Sequence, residues 1–191
     1  PFYDLTAYGK NVLINSKSRN AWWLSKCFWA VSCVFTYFIL MWTIIIIFCV
    51  CGAGKLTLNV SKSLIFKMIP MPSENVFLSE GDLFSNRYLT CQMLLMPFLI
   101  VSALSVMQMT VSLVIKPFFS FCISAGILVL SAYYLNPLLL GNYAMSQRND
   151  LLIDNGVNTK TGIVFSLALL VLSCVVGLFI FRRYDILNKE D

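Results

Sequence analysis

Apolar positions along the chain fall into four long runs divided by polar stretches, and the pattern inside the runs is neither alternating nor one-faced. The first run is entered through Arg19-Asn20-Ala21-Trp22-Trp23-Leu24-Ser25-Lys26 and covers about residues 25–51, with no Asp, Glu, Lys or Arg after Lys26. At 1.5 Å rise per residue it exceeds the roughly 20 residues that cross a bilayer core. Between residues 88 and 141 the only formal charge is Lys116, followed at once by Pro117. A basic residue and a proline in the middle of so long a run predict the tight turn of a helical hairpin, with spans over about 90–115 and 118–140. The fourth run covers about 161–181 and is closed by Arg182 and Arg183. The predicted fold is all-α: a polytopic integral membrane protein with four transmembrane helices and both ends cytoplasmic.

The orientation comes from the flanks. Lys10, Lys17, Arg19 and Lys26 precede or open the first span, while its other end stops at Gly52-Ala53-Gly54 with a single Lys55. Basic residues close to a span stay on the cytoplasmic side, and Trp22, Trp23 and Trp29 suit the headgroup level. The first helix therefore runs from inside to outside, Lys116 falls inside, and the tail 182–191 returns inside with Arg182, Arg183 and Lys189. Loops 52–89 and 141–160 lie outside.

Within the first outer loop the run Ser63-Leu64-Ile65-Phe66-Lys67-Met68-Ile69 is too short to cross and is expected to rest on the surface; Pro70 and Pro72 prevent a continuous helix after it. Ser79-Glu80-Gly81-Asp82 is a helix-start signal, so the second span is expected to begin as a helix near residue 79. Asn136-Pro137 breaks or bends the third span near its outer interface, and Asp154-Asn155-Gly156 marks a turn. Pro97 lies within the second span, and small residues Ser120, Ser124, Ala125 and Gly126 in the third and Ser166, Ala168, Ser173 and Gly177 in the fourth favour close helix contact.

Composition sharpens this reading. The 191 residues are 59% hydrophobic and 12% charged, with mean hydropathy +0.79; soluble domains carry about 25% charged residues. A formal net charge of +5 is spread over ends and loops without a dense basic run, which argues for a topogenic signal and attraction to anionic lipid, not for nucleic acid. The seven cysteines lie in or beside apolar runs, none in a Cys-x-x-Cys pair, and with no histidine the usual zinc spacings cannot be completed. No metal and no cofactor is expected. The chain opens on Pro1 without a short apolar leader, which suggests the C-terminal part of a longer protein.

The predicted interiors of all four spans lack Asp, Glu, Lys, Arg and His. Ionisable groups at membrane depth usually mark proton relays, ion sites or catalysis. A Ser-His arrangement cannot be built, and no Gly-x-x-x-x-Gly-Lys-Ser/Thr loop is present to hydrolyse nucleotide. Any transport must draw its energy from a partner, and an enzyme is not expected.

The order of features resembles the permease subunit of a bacterial ABC transporter of the ABC-2 export type. The resemblance rests on the basic, aromatic entry 18–26, the hairpin turn Lys116-Pro117, the segment from Asn136-Pro137 to Arg148, and the ending Arg182-Arg183-Tyr184-Asp185-Ile186-Leu187. It implies that this chain holds the last four of six spans, with residues 1–18 as the remnant of a cytoplasmic element that docks on the ATP-binding subunit. Tyr3, Asp4, Tyr8, Lys10, Lys17 and Arg19 are then the expected coupling residues. It also implies a second permease copy or homologue, and alternating access driven by the ATPase. Thr110, Ser112, Ser120, Ser124 and Asn136, polar positions in or at the end of apolar helices, are the candidates for a pathway lining. The competing reading is a non-transporting anchor or assembly subunit, whose spans pack against partners without an ATPase.

Overall fold

The computed structural model describes residues 18–53, 60–61, 65–67, 69, 74, 83–84, 87–150 and 152–183. Residues 1–17, and with them the expected coupling residues Tyr3, Asp4, Tyr8, Lys10 and Lys17, lie outside the described residues, as does the tail after Arg183. The fold is helical: α1 Arg19–Ala53, α2 Arg87–Val111, α3 Pro117–Tyr133, α4 Gly141–Ala144 and α5 Thr159–Arg183, with a 3-10 turn at Ser146–Arg148. A two-residue antiparallel ladder pairs β1 Val60–Ser61 with β2 Leu83–Phe84.

Three of the helices, α1, α2 and α5, are long and apolar enough to cross a membrane; α3 is apolar but shorter. α1 has 35 residues, about 50 Å of helix. Ser18 starts it by accepting the Ala21 N–H on its Oγ at 3.5 Å and the Trp22 N–H on its carbonyl at 3.3 Å. Over 43–52 every residue of α1 is exposed, including Ile44, Ile45, Ile46, Ile47 and Phe48. This stretch, apolar on all faces and uncovered in this chain, is compatible with a lipid surrounding.

The centre of the bundle is the contact of α2 with α5. On α5 the buried positions are Thr159, Gly162, Ser166, Ser173, Gly177 and Phe181, one helix face carrying Gly-x-x-x-Ser and Ser-x-x-x-Gly. Hydrophobic burial gives helices no drive to associate in lipid, so close backbone approach and the dispersion it permits must do so. Two glycines are required by that approach: a Cβ on Gly177 would fall 2.1 Å from the Trp23 ring, and one on Gly162 would fall 2.5 Å from the Tyr143 ring.

Two apolar clusters fix the ends. At one, Trp22, Trp23 and Cys27 of α1 meet Val106, Met109 and Leu113 at the end of α2 and Phe181 at the end of α5. At the other, Met96, Ile100 and Leu104 of α2 meet Leu140, Tyr143 and Val157. α2 and α5 therefore run parallel, and α1 opposes them. Arg19, Lys26, Lys116, Arg182 and Arg183 all belong to the first end, hereafter the basic end. Over the far end, Ile65 and Ile69 pack on Leu152, with Met93 and Ile153 against them, while Phe66 and Lys67 between them are exposed.

The predicted hairpin is present with shifted limits. α2 stops at Val111, not near residue 115, because Leu113 and Val114 donate to the carbonyls of Thr110 and Val111 in tighter three-residue bonds. Lys116 is extended (φ −54°, ψ 141°), as a residue before proline must be, and Pro117 opens α3 at its first helical position. Ser120 closes the hairpin by donating to the Gln108 carbonyl at 2.6 Å. α3 ends at Tyr133 and not near residue 140: Tyr134 is already extended (φ −113°, ψ 126°), and Pro137 disfavours a helical Asn136. Nor does the second span begin as a helix near residue 79, since Leu83–Phe84 pairs as a strand with Val60–Ser61 and the helix starts at Arg87. The ladder takes up backbone groups that a helix would have used internally.

Candidate functional site

The most elaborate polar arrangement lies where α3 breaks off. A helix end leaves its last carbonyls without intrahelical partners, and in lipid there is no water to satisfy them. Arg148 supplies the missing donors. Its Nη1 donates to the Ser131 carbonyl at 2.6 Å and the Tyr134 carbonyl at 3.4 Å, and also to Asn142 Oδ1; its Nη2 donates to the Ala132 carbonyl at 2.6 Å. A guanidinium at a helix C-terminus also sits at the negative end of the macrodipole.

Asn142, fully buried, completes the wrap. Its Nδ2 donates to the carbonyls of Tyr134 and Asn136, each at 2.9 Å. Ser131 Oγ donates to the Ile127 carbonyl at 2.7 Å and accepts the Gly141 N–H at 3.2 Å. Gly141 is needed here because a Cβ would lie 2.6 Å from that of Ser131. Tyr143, 1% exposed, donates its hydroxyl to the Pro137 carbonyl at 2.8 Å. Every contact in this set ends on backbone of the interrupted segment or on a side chain that holds it.

The following stretch is locked to the start of α2 and α5. Asn149, fully buried, donates from Nδ2 to Thr159 Oγ1 at 3.0 Å and to Gln92 Oε1, while Gln92 Nε2 is buried with no partner among the described residues. Val157 N–H donates to the Arg148 carbonyl at 2.7 Å, closing a loop whose turn contains Asn155 at φ 73°, a left-handed conformation Asn tolerates. Asp154-Asn155-Gly156 is thus the turn expected, with Gly156 tight on the Asn149 backbone: a Cβ there would lie 2.4 Å from the Asn149 carbonyl carbon.

The candidate lining residues are not brought together at this site. Thr110 donates across to the Ser173 carbonyl at 2.9 Å and back to Val106 at 3.0 Å; Ser112 donates to Met109 at 2.7 Å and Ser124 to Ser120 at 3.3 Å. All three hydroxyls, and that of Ser120, are buried between helices of this chain. Asn136 is exposed and accepts the Leu138 N–H at 2.9 Å on its own Oδ1. Arg19, expected in the coupling element, opens α1 and donates from Nη1 to the Arg182 carbonyl at 3.1 Å, capping α5.

Asn142, Arg148 and Asn149 carry the far end; from sequence Arg148 served only to bound the segment that begins at Asn136-Pro137, and Asn142 and Asn149 were given no role. Their signal was a helix-breaking Asn136-Pro137 followed, before Asp150, by an Arg and two Asn in an otherwise uncharged stretch.

Residues 4–187 match the family of proteins of unknown function DUF2705. The chain belongs to that family. No curated protein and no solved structure matches it. For this DUF2705 protein the geometry above therefore carries the functional reading.

Proposed function

We propose that the chain is a transmembrane permease subunit of an ATP-driven ABC exporter, forming the substrate pathway with a second permease copy or homologue and coupling to a separate ATP-binding subunit. The observation that carries this reading is the interrupted third span. α3 has 17 residues, about 25 Å of helix against a hydrocarbon core of about 30 Å. Residues 134–138 then run as irregular backbone with exposed side chains, carbonyls among them bound by Asn142, Tyr143 and Arg148, and 140–143 fold back buried around the short α4. A span that only anchors a protein gains nothing from such a break, whereas non-helical backbone at membrane depth is a feature of transport proteins, buried in protein or lining a pathway.

On this reading α3 with its folded-back segment counts as a fourth crossing. The basic end, with Arg19, Lys26, Lys116, Arg182 and Arg183, is cytoplasmic by the positive-inside rule, and both chain ends lie there. Residues 1–18 then face the ATPase, and the Arg148 segment faces the exit. The pathway residues Thr110, Ser112, Ser120 and Ser124 line a route only if the α2–α3 and α2–α5 contacts open during transport. Asn136, already exposed, is accessible in the described state. The location is the cell membrane.

The test is a pull-down of C-terminally tagged protein from native membranes with an ATPase assay in lipid. A P-loop ATPase should co-purify and be lost when residues 3–17 are scrambled. Purification without an ATPase would favour an anchor or assembly subunit instead.

A further inference from the structure

Sulphur side chains from three different helices belong to the apolar cluster of the basic end. The peptide of α5 at Ser173 and Cys174 is pinned from two sides: Thr110 of α2 donates to the Ser173 carbonyl at 2.9 Å, and Trp23 Nε1 of α1 donates to the Cys174 carbonyl at 3.1 Å. At that point α1, α2 and α5 share one level. Cys27 stands one turn after Trp23 on the same face of α1, and Met109 is the chain neighbour of Thr110. Cys27 and Met109 are buried members of a single cluster, 5% and 8% exposed, and Cys174 packs against it. A thiol from α1, a thioether from α2 and a thiol from α5 thus gather around two hydrogen bonds that hold the three backbones in place.

The donor set has a definite chemical preference. Zinc in a closed site takes four thiolate or imidazole ligands, and the chain has no histidine. Calcium and magnesium take oxygen. Three sulphurs that include a thioether suit Cu(I), a soft monovalent cation. The surroundings are apolar, so a bound ion must leave little net charge behind. That condition is met when one thiol gives up its proton to solvent as its S–Cu bond forms. The second thiol and the thioether then bind as neutral donors, and thiolate and cation cancel.

We infer that Cys27, Met109 and Cys174 form a binding site for Cu(I), which ties α1, α2 and α5 together at one level of the bundle. The site stands on these three helices alone and does not depend on an ATPase partner.

The experiment uses the whole chain, purified in neutral detergent, reduced and kept free of oxygen. Cu(I) is supplied from a bicinchoninate buffer, retained metal is counted by native mass spectrometry, and its ligands are read by X-ray absorption. One Cu(I) per chain should be retained with sulphur-only coordination, and it should raise the unfolding temperature saturably. Cys27→Ser/Cys174→Ser should abolish retention, and Cys33→Ser/Cys122→Ser, at exposed positions, should keep it. Met109→Leu conserves volume. It should weaken binding by more than the roughly tenfold expected for loss of a partner that only supports a ligand. Failure of the unaltered chain to hold Cu(I) against bicinchoninate overturns the proposal, whether or not the variants fold, and so does nitrogen or oxygen among its ligands. Undiminished binding in Cys27→Ser/Cys174→Ser overturns it too, as does loss confined to Cys49→Ser/Cys51→Ser, which would put the metal at the other end of α1.

Discussion

The two ends of the bundle solve the same problem by different means. At the basic end straight helices finish at the interface, and large rings fill the space between them: Trp22 on Phe181, Trp23 on Gly177, with Trp23 Nε1 donating to the Cys174 carbonyl at 3.1 Å. At the far end one helix stops short, and the space is filled by backbone whose polar groups are bound one by one by Arg148, Asn142 and Tyr143. The first end is held by shape and the second by hydrogen-bond satisfaction. Steric fit tolerates no added volume, while a satisfied polar set tolerates no lost donor. The two ends should therefore fail under opposite kinds of substitution.

The largest effect is expected from added volume at the basic end. Gly177→Leu has no room, since even a Cβ meets the Trp23 ring at 2.1 Å, and stably folded protein should be lost from detergent extracts. Gly177→Ala should cost about 3 kcal/mol in reversible unfolding. Near-normal stability of Gly177→Leu would mean that α1 and α5 do not meet as described.

The counterpart at the far end is Arg148→Leu, which removes the donors from three carbonyls and should cost about 3 kcal/mol. Hydrogen exchange should rise in residues 131–144 and stay unchanged at the Trp22–Phe181 stack. Arg148→Lys, a point charge without the planar fork, should recover part of the loss. Uniform loosening of both ends would remove the distinction between them.

A smaller change tests a ring donor within the packing of the basic end. Trp23→Phe keeps a ring over Gly177 but deletes the bond to Cys174, for about 1–2 kcal/mol. Cys27 and Cys174 pack in one cluster across the same helix pair, so a short thiol crosslinker should join them in the unaltered protein and, if the ring position survives, in the variant.

The basic end was largely legible in the sequence, because side chains on a regular helix keep their spacing: the Trp22-Trp23 entry, the small residues Ser173 and Gly177, and the closing Arg182-Arg183 all appear where the packing needs them. The hairpin at Lys116-Pro117 was legible for a similar reason, as proline fixes its own backbone and that of its neighbour. The far end was legible only in part: Asn136-Pro137 marked a break and Asp154-Asn155-Gly156 a turn, but where α3 stops and which donors hold the break were not. An apolar run such as 118–140 looks continuous when only hydropathy is read, and the break at Tyr133 depends on whether distant donors can satisfy freed carbonyls. Arg148 lies 17 positions from Ser131, and no local pattern relates them. The start of α2 was misplaced by the same kind of cause: the pairing of Leu83–Phe84 with Val60–Ser61 overrides a local helix-start signal.

The mildest test concerns Tyr143, the point where shape and hydrogen bonding meet, since its ring packs on Gly162 while its hydroxyl binds the Pro137 carbonyl at 2.8 Å. Tyr143→Phe keeps the ring and deletes one neutral hydrogen bond, about 1 kcal/mol. Reversible unfolding in detergent should separate the two chains by that amount, with hydrogen exchange rising in residues 134–144 and unchanged at the Trp22–Phe181 stack. Equal stability would mean that the hydroxyl reaches solvent, and that the segment after α3 is not sealed at the ring that closes it.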